Sequence, residues 1–201
     1  MDKKSYALGM NIAQNLIRSG VKGLAIEDFN AGFKATMEDE VTLVDPEEAG
    51  RILEDYFNEL SAAKAAEDAE VAEAMRKEGE EFLKENAGKP GVVTLKSGLQ
   101  YKVLKAGSGR KPGRTDKVRC NYEGTFVNGM VFDSSYSRGE PAVFGVNQVI
   151  AGWTEALQLM SEGSEWELYI PYDLAYGEAG AHGAIPPCAA LIFKVELIAV
   201  L

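Results

Sequence analysis

Hydrophobic residues in the first part of the chain recur with the spacing of amphipathic helices. In each of two sets, the members follow one another at intervals of three or four residues. The sets are Tyr6, Met10, Ala13 and Ile17, and Phe29, Phe33 and Met37. Each set lies on one face of a helix. Gly20 follows the first set, where a left-handed residue commonly ends a helix. The pattern predicts two short helices before residue 40.

A third, much longer helix is predicted to follow, over about residues 45–87. Asp45 is a suitable N-cap, Pro46 suits the first helical position, and two glutamates come next, near the positive end of the helix dipole. No strong breaker occurs before the Gly-Lys-Pro-Gly stretch at 88–91. At 1.5 Å per residue such a helix is about 60 Å long.

Only the beginning of this long helix carries a broad apolar stripe. Its members are Ile52, Leu53, Tyr56, Phe57 and Leu60. Residues 61–74 are mostly alanine and charged, so the middle of the helix is predicted to be solvated. The two short helices and the apolar start of the third make up a segment of about 60 residues, which has little hydrophobic core of its own. Segments below the size of a stable domain are often stabilised by oligomerisation. We therefore expect a homodimer joined through the amino-terminal helices; the alternative is a long helix packed along its own domain.

The second part of the chain shows the alternation of β-strands. Alternating apolar residues occur at Leu99, Tyr101 and Val103, at Val118, Cys120 and Tyr122, at Trp166, Leu168 and Ile170, and from Leu191 to Leu197. Asn128-Gly129 is a strong hairpin signal. One helix over 152–160 interrupts the strands. The predicted fold is α+β, with an antiparallel curved sheet wrapped around one short helix after the helical dimerisation region.

Charge and glycine content change near residue 90, which indicates a domain boundary. Residues 1–90 hold 20 acidic and 11 basic residues, whereas residues 91–201 hold 11 acidic and 10 basic ones and 14 of the 21 glycines. The predicted domains are therefore 1–90, helical and dimerising, and 91–201, built on the sheet. The net charge of -10 argues against a nucleic-acid partner.

Composition also restricts the chemistry and the location. No apolar stretch approaches the about 20 residues of a membrane span, and a single histidine, His182, excludes a multi-histidine metal site. Cys120 and Cys188 are expected to be reduced structural thiols, with a disulfide between them as the alternative. The amino end resembles a signal peptide only faintly, because polar residues interrupt its apolar run and no cleavage site of small residues follows. We expect a cytoplasmic protein, with a periplasmic mature form as the alternative.

Five stretches of the second part resemble the FKBP-type peptidyl-prolyl cis-trans isomerases. They are Tyr122-Glu123-Gly124, Phe132-Asp133-Ser134-Ser135, Val149-Ile150-Ala151-Gly152-Trp153, Leu174-Ala175-Tyr176-Gly177, and Ile185-Pro186-Pro187 followed by Leu191-Ile192-Phe193. They cover about residues 98–201 in the order and spacing of that family. The long helix and the amino-terminal part resemble its bacterial macrophage-infectivity-potentiator branch, whose members are homodimers held by amino-terminal helices.

The resemblance implies a proline pocket and a role for each residue in it. The implied catalytic residues are Tyr122, Phe132, Asp133, Trp153, Tyr176 and Phe193, and the implied substrate-binding residues are Phe144, Val149, Ile150 and Ile185. Trp153 would form the floor, the Tyr176 hydroxyl and the Ile150 amide would bind carbonyls, and Asp133 would lie at the rim. Ala142 stands where many relatives have an aromatic residue, which predicts a wider pocket mouth. No cofactor or metal is implied.

The implied function is catalysis of X-Pro isomerisation during protein folding, with chaperone-like client binding by the dimer. The implied partners are proline-containing unfolded or nascent polypeptides, macrolide inhibitors of the tacrolimus or rapamycin type, and a second copy of the chain. Two alternatives belong to other classes: a chaperone or adaptor that uses the pocket only to bind, and a purely structural dimer module. The first would not accelerate isomerisation of a prolyl peptide, and the second would have no measurable activity in its sheet domain.

Overall fold

The computed structural model describes residues 1–181 and 183–201, and His182 lies outside the described residues. The chain divides into two compact units, Met1–Glu67 and Asp68–Leu201. The division therefore falls inside the long helix, ahead of the change from helix to strand near residue 90. The domain boundary predicted near that residue stays a prediction.

Three helices form the first part of the chain. They are α1 (Lys3–Arg18), α2 (Ile26–Met37) and α3 (Pro46–Asn86), and α3 has 41 residues. The carboxylate of Asp45 accepts hydrogen bonds from the amides of Glu47 and Glu48, both at 2.9 Å. Gly20 has φ 84°. The predicted N-cap, helix stop and helix length are confirmed.

The first unit buries very little of its apolar surface. Neither α1 nor α2 contains a buried residue, and Tyr6, Leu8 and Ile17 are 60%, 65% and 71% exposed. Apolar side chains in such numbers are not left in water by a stable monomeric unit of this size. The amphipathic faces predicted from the sequence are therefore present, and they remain largely exposed within the first unit.

The second unit is built on a seven-stranded antiparallel sheet. The strands are β1 (Val92–Thr94), β2 (Gln100–Lys105), β3 (Lys117–Phe126), β4 (Val131–Ser134), β5 (Ala142–Gly145), β6 (Glu165–Ile170) and β7 (Leu191–Val200). Their order is β1-β2-β6-β7-β3-β4, with β5 also paired to β3. Two short helices interrupt them, α4 (Ser135–Arg138) and α5 (Ala151–Leu159). The predicted fold class is confirmed.

The core lies between the sheet and α5. Alternate residues of β3 point inward, so Val118, Cys120 and Tyr122 are buried, while α5 contributes Trp153 and Leu157. This is the alternation that the sequence predicts. Tyr122 lies opposite Val195, and Gly124 lies opposite Phe193, on the central strand β7.

The two cysteines are separate, buried thiols, as predicted. Burial, with a smaller contribution from the charge of Glu196, raises the pKa of the Cys120 thiol to about 12. Because only the thiolate is strongly nucleophilic, Cys120 is chemically unreactive near neutral pH.

The last turns of α3 belong to the packed interior of the second unit. The Phe82 ring lies 6.0 Å from the Tyr169 ring, and the buried amide of Asn86 donates to Gln100 at 3.0 Å. A Cβ at Gly79 would lie 2.8 Å from the Cβ of Ala190, so only glycine allows this approach. Residues 61–70 are exposed, as predicted for the middle of the helix, whereas its end packs on the sheet unit.

Candidate active site

A cavity of about 460 Å³ opens between the sheet and the start of α5. Its lining consists of Tyr122, Phe132, Asp133, Phe144, Gln148, Val149, Ile150, Trp153, Tyr176 and Phe193. Most of these side chains are aromatic or aliphatic, and the ionisable groups are few. Such a cavity suits a small apolar ring flanked by polar backbone groups.

Each wall of the cavity comes from a different element. β3 and β7 contribute Tyr122 and Phe193 through their inward-facing positions, and α5 contributes Trp153 from its first turn. The hairpin strand β4 contributes Phe132 and Asp133. The remaining residues come from β5, from the segment 148–150 and from the loop after β6. The cavity therefore exists only in the folded sheet.

The aromatic walls are held by edge-to-face contacts around Trp153. Its ring centroid lies 5.4 Å from that of Tyr122, 5.6 Å from that of Phe144 and 5.3 Å from that of Phe193. The three interplanar angles lie between 81° and 87°. Aromatic pairs favour this arrangement, which contributes about 0.5–1.5 kcal/mol per pair beyond burial. Trp153 is 4% exposed, so it forms a rigid floor.

Gly124 provides the space that two of the pocket rings occupy. A Cβ at this position would lie 2.6 Å from Phe132 Cζ and 2.7 Å from Phe193 Cε1. The centroids of these two rings are 5.5 Å apart at an interplanar angle of 88°. The glycine of the Tyr-Glu-Gly stretch therefore determines where both rings lie.

The rim of the cavity holds a hydrogen-bonded cluster of three polar side chains. The Tyr122 hydroxyl donates to Asp133 at 2.5 Å, and Arg138 donates to the same hydroxyl at 2.7 Å. Arg138 also forms an ion pair with Asp133, and its guanidinium lies 5.5 Å from the centre of the Tyr122 ring. Asp133 is thereby held at the rim, with its side chain 42% exposed.

This cluster moves two pKa values away from the neutral range. Burial alone would raise the pKa of Asp133, but the hydrogen bonds from Tyr122 and Arg138 and the charge of Arg138 outweigh it, so the pKa lies below its ordinary 3.8. Burial, followed by the hydrogen bond to Asp133, raises the pKa of Tyr122 above its ordinary 10.0. Asp133 is therefore charged and Tyr122 neutral throughout the neutral range.

We expect the activity of this site to be independent of pH over the neutral range. Neither Asp133 nor Tyr122 changes its protonation state between about pH 5 and about pH 9, so kcat/KM should vary by less than about twofold there. The measurement is exchange NMR on a prolyl peptide, which needs no coupling protease. A bell-shaped profile with both limbs inside this range would contradict the assigned protonation states.

The start of α5 presents backbone donors to the cavity. Ile150 precedes the helix as its N-cap residue, and its carbonyl accepts from the amide of Thr154 at 3.0 Å. In the described part of the chain the N–H of Ile150 has no backbone acceptor. Free N–H groups and the helix dipole at such an end favour the approach of a carbonyl oxygen.

Nine of the ten residues implied by the resemblance line this one cavity. The exception is Ile185, which is 7% exposed and belongs to the same buried cluster as Trp153 and Phe193; its part in the site stays a prediction. Ala142 pairs with Cys120 in the sheet and is not among the described residues of the lining. The wider pocket mouth expected from Ala142 stays a prediction.

Sequence reasoning missed two residues of the site. Gln148 lines the cavity, and Arg138 holds Asp133 and Tyr122 from outside the lining. Gln148 could have been found because it directly precedes the Val-Ile stretch. Arg138 could have been suspected because it is a cation five positions after Asp133 and directly precedes a glycine. In the structure this glycine, Gly139, has φ 76° and ends α4.

Comparison with known proteins matches nearly the whole chain to one family. A family model described as "FKBP-type peptidyl-prolyl cis-trans isomerase" matches residues 108–198, and one described as the domain amino terminal to it matches residues 1–103. The 22 kDa FKBP-type peptidyl-prolyl cis-trans isomerase of Escherichia coli is 45% identical, over 98% of this chain and 94% of its own length. The crystal structure of FkpA from Escherichia coli matches with a TM-score of 0.74 and 35% identity, over 98% of this chain and 95% of that one.

A further relative corrects the expected location. The protein from Legionella longbeachae, 43% identical over 99% of this chain and 85% of its own length, is named "Outer membrane protein MIP". The cytoplasmic location expected from the amino end is therefore wrong, and the periplasmic alternative fits this relative. The amino-terminal residues form α1. Their pattern of apolar and polar residues therefore reflects this helix and does not indicate a cellular compartment. Among the described residues, no helix has the length and apolar character needed to cross a membrane.

Proposed function

The chain belongs to the FKBP-type peptidyl-prolyl cis-trans isomerases, and from this membership we propose that the cavity above Trp153 is where it isomerises the X-Pro bonds of unfolded polypeptides. The observation that carries this proposal is a cavity with aromatic walls and floor whose charged groups lie only at the rim. A proline ring is apolar and compact, so it suits the floor, while the flanking peptide groups suit the rim.

The geometry supports catalysis by selective binding of the twisted peptide bond. Rotation of an X-Pro bond breaks amide resonance, with a barrier of about 18–20 kcal/mol, and takes about tens to hundreds of seconds without a catalyst. The twisted amide loses the charge separation of resonance and so loses less solvation in an apolar site than the planar amide does. Apolar side chains such as Trp153 in the floor and Phe193 in the wall therefore favour the transition state over the ground state.

We assign the polar groups to holding the substrate while its bond rotates. The hydroxyl of Tyr176, whose residue is 41% exposed, would donate to one substrate carbonyl. The amide of Ile150 would donate to another, because it lies at the free end of α5. Asp133 would contact the substrate at the rim, where Arg138 and Tyr122 hold it. No covalent intermediate is needed.

A protease-coupled assay with a prolyl tetrapeptide tests this assignment. We expect acceleration at micromolar protein, and a loss of about tenfold or more in kcat/KM when Tyr176→Phe and Asp133→Ala are combined, because each removes a contact of about 1 kcal/mol or more. Unchanged activity in the combined variant would show that the polar contacts are wrongly assigned. No acceleration by the wild-type chain would leave the alternative, a chaperone or adaptor that only binds.

Macrolide inhibitors of the tacrolimus or rapamycin type are proposed to occupy the same cavity. They should compete with the peptide, because an inhibitor seated over Trp153 excludes the proline ring. Competition is measured as a rise in KM with kcat unchanged. Inhibition that lowered kcat without raising KM would place the inhibitor elsewhere.

A second copy of this chain is the proposed partner of the amino-terminal helices. Within the first unit, α1 and α2 enclose an apolar groove of about 710 Å³. The groove is lined by side chains such as Leu16, Phe29 and Phe33, and both helices lack buried residues. A homodimer that interlocks these helices would remove this surface from water. Two isomerase sites on one dimer would then retain an unfolded client through two contacts, which supports chaperone-like binding.

A further inference from the structure

The loop between β6 and β7 carries Tyr176 but has little regular structure to hold it. Its described residues contain one 3₁₀ turn, Tyr172–Leu174, and several glycines in the left-handed region, among them Gly177 and Gly180 with φ 67° and 65°. Glycines of this kind give a loop great freedom when it is not held. The conformation of the loop must therefore depend on contacts with its surroundings.

The residue after Tyr176 is tied to both ends of the loop through its backbone. The amide of Gly177 donates to the carbonyl of Tyr172 at 2.8 Å, and the carbonyl of Gly177 accepts from the amide of Cys188 at 3.1 Å. These two hydrogen bonds set the position of Gly177, and through it the direction in which Tyr176 leaves the backbone. Whatever holds Tyr172 and Cys188 therefore also holds Tyr176.

One guanidinium on α3 contacts the same residues. Arg76 donates to the carboxylate of Glu178 and to the sulfur of Cys188, each at 3.5 Å. Its guanidinium carbon lies 5.6 Å from the centre of the Tyr172 ring, within the range of a cation–π contact. Arg76 thus contacts both residues bonded to Gly177, and also Glu178, which follows it. All of these residues belong to the second unit.

The backbone of Cys188 indicates that this arrangement is held from outside. Its φ is 54°, in the left-handed region that L-residues with a side chain rarely adopt. A residue persists there only where its surroundings compensate for the strain. The thiol of Cys188 is buried, and Arg76 contacts it from the opposite element. Close packing of Gly79 against Ala190, one turn further along α3, holds the end of the same loop.

We propose that Arg76 is a positioning residue for the isomerase: from the long helix, it holds the β6–β7 loop so that Tyr176 faces the substrate. Arg76 is absent from the described lining of the cavity, so it acts through the loop and not on the substrate. The proposal rests on the role proposed for Tyr176. According to this proposal, the last turns of α3 contribute to the activity of the isomerase unit.

A double-mutant cycle in the full-length chain tests this proposal. Arg76→Met keeps the aliphatic stem but removes the charge and the donors, and should lower kcat/KM on a prolyl tetrapeptide by about threefold to tenfold. In a Tyr176→Phe background the same change should cost less than about 1.5-fold, because the two residues act through one contact. Lys77→Met is the matched control, since the neighbouring Lys77 is exposed and contacts none of the loop residues above.

Arg76→Lys should restore part of the activity, because a lysine retains the charge near Glu178 and Tyr172. Equal losses from Arg76→Met in both backgrounds would overturn the proposal, since a merely structural effect would be additive. If Tyr176→Phe alone has no effect, the role proposed for Tyr176 fails. Amide hydrogen exchange then tests separately whether Arg76 holds the loop. The amides of Gly177 and Cys188 should exchange about tenfold faster in Arg76→Met, and unchanged exchange would overturn the proposal.

Discussion

Gly124→Ala should lower kcat/KM by about fivefold to a hundredfold, although it removes no side chain of the pocket. The added Cβ would lie 2.6 Å from Phe132 and 2.7 Å from Phe193, so both rings must move. Overpacking of this kind destabilises a folded protein by about 1–3 kcal/mol. A loss of similar size in the binding of the transition state gives the expected range, since about 1.4 kcal/mol corresponds to a tenfold change in rate. The loss should exceed that of any rim substitution made singly. It is measured as kcat/KM on a prolyl tetrapeptide.

Gly113→Ala is the matched control in the same unit. A Cβ at Gly113 would lie 3.7 Å from the nearest carboxylate oxygen of Asp116, an ordinary contact, and activity should stay within about twofold. The melting temperature of Gly124→Ala should also fall, because the rings are displaced in the folded state. A Gly124→Ala protein with normal kcat/KM would show that the ring positions do not limit catalysis.

Placing charges in the α1–α2 groove should greatly reduce the acceleration of protein refolding while leaving peptide isomerisation almost intact. Leu16→Glu combined with Phe29→Glu puts two carboxylates into the proposed dimer interface, so the full-length chain should sediment as a monomer. Bivalent binding exceeds single-site affinity by about 10²–10⁴. The catalytic efficiency per active site, measured on the refolding of a protein limited by prolyl isomerisation, should therefore fall by about tenfold to a hundredfold. Activity on a tetrapeptide should change by less than about twofold.

Gln14→Glu serves as the control for this variant. Gln14 is exposed on α1 and is not among the described residues of the groove, so the dimer and the refolding activity should persist. A truncated comparison should begin at Asp68 and not near residue 91. The shorter form would lose Phe82 and Asn86, which pack on the sheet unit. A monomeric groove variant that refolds clients at the wild-type rate would contradict the proposed role of the dimer.

The helices and the inward faces of the strands could be predicted from the sequence because they depend on neighbouring residues. Asp45 and Pro46 start α3 through local hydrogen bonding and a fixed φ. The buried positions of β3 follow from strict alternation. The resemblance located most of the cavity lining for the same reason, since short stretches such as Val149-Ile150 and Phe132-Asp133 are contiguous in the chain. The location in the cell was wrongly predicted, because residues that form α1 do not encode a compartment.

Contacts between distant parts of the chain could not be predicted in this way. Arg76 meets Glu178 across 102 positions, and nothing in the spacing of either residue indicates the other. Gly79 and Gly124 resemble any helix or strand glycine until the structure shows a side chain in the space that a Cβ would occupy. Arg138 also needs the turn of α4 to bring it to Asp133.

By itself the sequence determined the order and kind of the elements, the amphipathic faces of α1 and α2, and the aromatic residues available for a pocket. Those properties follow from periodicity, capping and side-chain chemistry, which act over a few residues. Only the tertiary structure decided that the charged groups stay at the rim, that two rings pack over Gly124, and that α3 contacts the loop of Tyr176. Each of these features depends on which surfaces the folded sheet brings within van der Waals distance. Close packing then leaves few alternative arrangements of the side chains.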